Sequence, residues 1–231
     1  MNESFNYIDV PIAERDVDVR AQFISRTYGH LLGAMLGFTL IEILLFKSGL
    51  AESLATIMLA GPWLLVLGGF IVVSWIASKV AHTASSLPAQ YAALGGFVIA
   101  EAIIFVPMLF VAEHYFEGVI ASAAATTLIG FAALTAVAWI TRKDFSFLRG
   151  VLMMTGFLAI GGIIASVIFG FTLGIWFSVA MVALAAGSIL YDTSNVIHHY
   201  TEDRYVAASL ELFASVALMF WYVLRLFMSR D

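Results

Sequence analysis

The chain has no cysteine, which removes disulfides, thiolate metal sites and thiol nucleophiles together and leaves the redox compartment unreadable. Charge is the second scarcity. Only 12% of residues are charged against 62% hydrophobic, and a mean hydropathy of +0.98 describes a chain that water could not hold as a globule. No HExxH, Gly-x-Gly-Asp or Gly-x-Ser-x-Gly pattern occurs, and no P-loop, so the enzyme classes with those signatures drop out and no catalytic residue or cofactor is assigned. Lysine is rarer still. Lys47, Lys79 and Lys143 all lie at connections, so the last apolar run offers no amine for a retinal Schiff base. The formal net charge of −5 sits almost wholly in the connections and gives no sign of a nucleic-acid partner.

What remains is apolar sequence in runs of membrane length. Seven segments, at about 27–46, 57–78, 91–112, 119–140, 148–169, 173–192 and 206–228, are each near the ~20 residues needed to cross ~30 Å of hydrocarbon. The alternation of a barrel strand is absent, so the spans are helices. The expected fold is an all-α polytopic membrane protein with seven transmembrane helices. Short links at 113–118 and 170–172 make neighbours antiparallel and favour one bundle over residues 27–231. Residues 1–26 mix Glu3, Asp9, Glu14, Asp16 and Asp18 with Arg15, Arg20 and Arg26. They lack the layout of a signal peptide and read as a flexible polar arm, helical near 17–26. Eight basic residues, including Lys79, Arg142, Lys143, Arg149 and Arg204, fall on the side of that arm; Lys47, Arg225 and Arg230 fall opposite. The bias puts the N-terminus in the cytoplasm and the C-terminus outside.

Polar residues inside such runs are the candidates for function. The first helix carries Gly29, Gly33 and Gly37 at the spacing of a helix-packing stripe, with His30 beside it; Glu42, near the outer end, is expected at the headgroups. Pro62 is placed in the first turn of the second helix. Lys79 is expected to snorkel or to serve as counter-ion to a carboxylate at its depth. Glu101 lies mid-membrane with Pro107 six residues on, where proline frees the Ile103 carbonyl. Two readings stand for this pair: the wall of a cation path, or a protonated glutamate bonded to a neighbouring helix. Glu113, His114 and Glu117 form too small a set for a dedicated metal site.

The stretch 187–200, GSILYDTSNVIHHY, organises the rest. An apolar segment runs straight into Asp192, with His198 and His199 beyond it. Asp192 is either a functional group or a helix-end residue held by Thr193, Ser194 or Asn195. Glu211 lies one turn before Ser215 on the same face of the last helix, and both carboxylates fall within a few turns of the cytoplasmic mouth. Two carboxylates so placed resist double ionisation and, once ionised, attract a divalent cation; the alternative is that Glu211 snorkels. Arg225 is expected to reach outward to headgroups. Trp63, Trp75, Trp139, Trp176 and Trp221 are expected in an aromatic belt.

TRKDFSFL, then GSILYDTSNVIHH, then a final apolar helix ending in SRD resemble the Bax inhibitor-1 family, and within it the bacterial YccA-like branch, from about Arg26 to Asp231. The resemblance implies a last helix central among the other six, residence in a bacterial inner membrane, and a proton-sensitive calcium leak in which two aspartates near the cytoplasmic mouth share a proton. The first matches Asp192, the candidate calcium position. The second falls on Ser215, a departure from the family pattern for which Glu211 is the candidate substitute. For the YccA-like branch the resemblance implies instead a modulator of an FtsH-type membrane AAA protease, engaged through the arm and helix surfaces.

Overall fold

The computed structural model describes residues 10–229. The start of the arm, with Glu3 and Asp9, and the final Arg230 and Asp231 lie outside the described residues. Within them the chain forms α1 (Val17–Lys47), α2 (Leu50–Ala60), α3 (Trp63–Thr83), α4 (Leu87–Tyr115), α5 (Val119–Thr141), α6 (Leu148–Phe169), α7 (Ile175–His198) and α8 (Tyr205–Met228). All but α2 are long and apolar enough to cross a membrane, as only self-satisfied backbones can.

Three boundaries differ from the sequence reading. The second apolar run is broken at Gly61 and Pro62. Pro62, with extended backbone, precedes α3 rather than sitting in its first turn, and α2 forms a separate short helix whose Ala51 and Ala55 pack on Val106 of α4. The helical part of the arm is continuous with the first span as one 31-residue helix. Upstream of it, residues 12–14 form a 3-10 turn that is docked: Ile12 is buried in the core cluster around Phe23 and Tyr205, and its amide donates to the Tyr200 carbonyl at 2.7 Å. Lastly, α7 runs on to His198, so Asp192 lies inside a helix and not at its end.

The last helix occupies the middle. Across its apolar window 72% of residues are buried, against 56% for α4 and 6% for α6. It packs on α1, α3, α4, α5 and α7, while α6 rests mainly on α7 and reaches α8 through Ala159 and Tyr222. Small residues make this possible. Ala207, Ala208, Ser209, Ser215 and Ala217 of α8 are all buried, and short side chains let backbones approach where lipid supplies no hydrophobic drive. Tight reversals help: Gly118 (φ 73°) and Gly170 (φ 70°) adopt the left-handed conformation at the α4–α5 and α6–α7 links, which glycine takes without a Cβ penalty.

The glycine stripe of α1 is not filled by the described residues. A Cβ on Gly29 or Gly33 would meet nothing within 4 Å, and only at Gly37 does one approach Val98, at 3.8 Å. The stripe lines an open groove of about 660 Å³ with Gly95 and Tyr91 of α4. At its basic end His30 bonds the Arg26 carbonyl at 2.6 Å and the Tyr91 hydroxyl at 3.0 Å.

Candidate functional site

Asp192 is 9% exposed and Ser215 7%. The Ser215 hydroxyl donates to Asp192 Oδ2 at 2.5 Å, joining α7 to α8. A buried carboxylate costs heavily unless it is hydrogen-bonded, and Ser215 supplies that bond across the helix pair.

The bond also separates two cavities. On the basic side, a cavity of about 770 Å³ is lined by Asp192 and Glu211 together with His82, Arg149, His199 and Arg204. On the other, a cavity of about 760 Å³ is walled by α3, α4, α6 and α8; Ser215, Glu101 and Arg225 are among the residues that line it. Thus the aspartate faces one compartment and its hydrogen-bond partner the other.

Glu211 does not bond Asp192. Its Oε1 accepts from the Ser78 hydroxyl at 2.6 Å, and His82 Nδ1 lies 3.7 Å away. That nitrogen is within 2.9 Å of the Ser78 carbonyl. A carbonyl only accepts, so Nδ1 carries the proton, and in the neutral ring Nε2 accepts from the Tyr200 hydroxyl at 3.3 Å. Tyr200, in the α7–α8 connection, is held well above the usual tyrosine range by burial first and then by the charges of Glu211 and Asp192. It therefore stays neutral beside them.

Lys79 is turned away. It is exposed, its ammonium lies 4.9 Å from the centre of the Trp75 ring, and it forms no ion pair with Asp192 or Glu211 among the described residues. Ser78 and His82, one turn apart, occupy the face expected of it. Glu101 faces the second cavity, but Pro107 is buried without lining it. Thr193 and Ser194 do not hold Asp192: Ser194 Oγ accepts from the Phe145 amide at 2.9 Å, pinning the α5–α6 connection to α7. In that connection Asp144 accepts from the Ser146 amide at 2.8 Å and from His199 Nε2 at 3.0 Å. The amide bond, with His199 adding to it, holds the Asp144 carboxyl down at about 2. What the bond contributes to the connection is present above the ordinary carboxylate range and is lost as pH falls through about 2.

Several residues near span ends sit otherwise than expected. Arg225 donates to the Leu173 carbonyl at 2.8 Å and lines the second cavity instead of reaching the headgroups. Trp63 and Trp221 stack on each other at 6.3 Å in the same cavity, and Trp139 donates to the Tyr28 hydroxyl at 3.2 Å; only Trp75 and Trp176 are strongly exposed. Glu42, expected at the headgroups, is buried. Ser78, Arg149 and Tyr200 were not signalled by the sequence, since lone serine, arginine and tyrosine residues near span ends are ordinary.

Fold and site define a seven-span helical membrane protein whose central helix carries a buried carboxylate–hydroxyl bond between two cavities. Residues 20–231 match the family described as "Inhibitor of apoptosis-promoting Bax1". The chain belongs to this Bax inhibitor-1 family. It is 29% identical over 204 residues to "Modulator of FtsH protease YccA" of Escherichia coli strain K12, covering 84% of this chain and 89% of that protein. It is 25% identical to the "Golgi anti-apoptotic protein" of Vaccinia virus strain Lister, over 98% of this chain and 92% of that one. To "Bax inhibitor 1" of Schizosaccharomyces pombe it is 25% identical, over 94% and 79%.

Proposed function

We propose that this protein is a pH-sensitive leak for calcium or a related cation, resident in a bacterial inner membrane with its basic end in the cytoplasm. The observation that carries the reading is the Asp192–Ser215 bond standing between two cavities, each with a carboxylate in its wall. With a proton on Asp192 the α7–α8 junction is neutral and shut. Without it, Asp192 and Glu211 face the same cavity as two negative charges. They repel in a medium of low dielectric, and a divalent cation entering from the cytoplasmic cavity relieves that repulsion. Opening follows loss of the proton, so flux rises with pH. Arg149 and Arg204 line the same cavity; they offset part of the negative charge and so favour the ionised, open state. On the outer side Glu101 supplies the next oxygen ligands.

Calcium entry into dye-loaded proteoliposomes, measured at fixed gradient across about pH 6 to 8, the range of carboxyls tuned by their surroundings, tests this reading. It should rise steadily with pH. A flat profile, or no flux at any pH, would remove the leak.

A second reading has its own support. A relative is named a modulator of FtsH protease, and the glycine groove on α1 and α4 is the kind of surface that admits a partner's transmembrane helix at close range. Here the protein binds an FtsH-type protease through that groove. Gly33→Leu projects into open space and should fold normally, yet it should abolish co-purification with the protease while leaving any flux intact. Undiminished association would show that the groove is not the contact.

A further inference from the structure

A third cavity, of about 400 Å³, lies between α1, α4, α5 and α8 and shares no charged residue with the site above. It falls within the size range of small-molecule sites. Its walls are mostly apolar, with Phe38, Phe46, Phe213 and Phe220 among them. Two buried polar side chains break that surface, while the exposed Thr39 is bonded to the Met35 carbonyl of its own helix. Glu42 is 7% exposed and Thr127 2%, and neither Glu42 oxygen nor the Thr127 hydroxyl has a hydrogen-bond partner among the described residues. The remaining acidic group is Glu113, an exposed residue at the rim. No arginine, lysine or histidine is among the described residues lining the cavity.

Orphaned buried polar atoms of this kind are rare and costly, and here three of them belong to two residues lining one apolar chamber. Thr127 could have been satisfied by bonding back to its own helix, as Thr126 does to the Ser122 carbonyl. Glu42 has no cation to meet. A complement that ionises and pairs Glu42 brings a positive charge, a hydrogen-bond donor and an apolar body that fits against aromatic rings. A phosphate or carboxylate ligand would be repelled by Glu42 and Glu113, and a plain acyl chain would leave both orphans unsatisfied.

We propose that this cavity is a binding site for a lipophilic amine, whose ammonium donates to Glu42 and Thr127 while its hydrocarbon body rests on the phenylalanine walls. The rings add cation–π attraction where they flank the nitrogen. Nothing in this site requires the leak, so the two stand or fall separately.

The probe is tritiated 1-aminoadamantane, a compact cage amine, with 1-adamantanol as its neutral counterpart of like shape, on the full chain in phosphatidylcholine nanodiscs. The amine should bind saturably and should be displaced by unlabelled amine at least about tenfold better than by the alcohol, the size expected for a charge-assisted hydrogen bond. Glu42→Gln should weaken the amine by about tenfold and leave the alcohol unchanged; Thr127→Val should weaken the amine by a few-fold. Glu52→Gln, on α2 outside the cavity, should change neither. Equal affinity for amine and alcohol would reduce the cavity to an apolar void, and unaltered amine binding in Glu42→Gln would place the amine elsewhere; either result overturns the proposal. The amine-to-alcohol comparison in the unmodified protein decides the matter even if a variant fails to fold. Adding phosphatidylethanolamine to the discs separates the sources: displacement assigns the amine to a lipid headgroup, and its absence to a free amine, with the Glu42 contact kept in both.

Discussion

In proteoliposomes, Asp192→Asn should carry calcium at a rate that no longer depends on pH between about 6 and 8. Asparagine keeps the shape of the side chain and can still accept from Ser215, whose hydroxyl now lies 2.5 Å from Asp192 Oδ2. What it cannot do is give up a proton. A step controlled by one proton changes by at most about tenfold per pH unit, so the unmodified protein should show a rise up to that slope and the variant less than about twofold across the whole window. The asparagine junction is neutral throughout, so the residual rate should sit at the low, acidic level. Glu211→Gln should keep a pH-dependent rise of smaller amplitude, because Glu211 lines the cavity but is tied to Ser78 rather than to the junction.

Ser215→Asp should act in the opposite sense. It places a second carboxylate at the position where the family resemblance implies one, on the residue whose hydroxyl now bonds Asp192. Two carboxylates that close hold one proton between them strongly, and the pair loses it only at higher pH. The flux profile should keep its direction and move its midpoint upward by about one to two pH units. If the midpoint stayed where it was, the contact between positions 192 and 215 would have no part in control. Thermal denaturation in detergent separates this outcome from damage to the fold, because at low pH both carboxyls are protonated and the neutral pair should cost little there.

Much of this was legible in the sequence, and the places where it was not have physical reasons. The spans at 148–169 and 206–228 stand within a residue of α6 and α8, because length and hydropathy fix a membrane-crossing helix whether lipid or other helices cover it. Hydropathy also cut α7 short. Asp192, Thr193 and Ser194 are polar in chemistry yet buried, and a window that counts chemistry cannot see which way a side chain faces. The Gly61–Pro62 break was readable as a helix start, but nothing in an apolar run tells one crossing helix from a short helix followed by a crossing one. The pairing of residues 192 and 215 was implied by the family resemblance, while the antiparallel helices joined at one end placed Asp192 and Glu211 near the same mouth. The partner of Glu211 did not follow, since one residue is a 100° turn and separates Ser78 from Lys79 on their helix. Glu42 and Arg225 were placed at the headgroups because isolated charges near span ends usually reach them; here α1 and α8 turn both inward, onto cavities that exist only once helices far apart in the chain have packed.

The most direct measurement of the central claim is the infrared absorption of the Asp192 carboxyl itself, as the difference between unmodified protein and Asp192→Asn in lipid over the same pH range. The account predicts a protonated carboxyl band, absent from the variant, that disappears in step with the rise in calcium flux. A carboxylate signal at every pH, with no protonated band to lose, would contradict it.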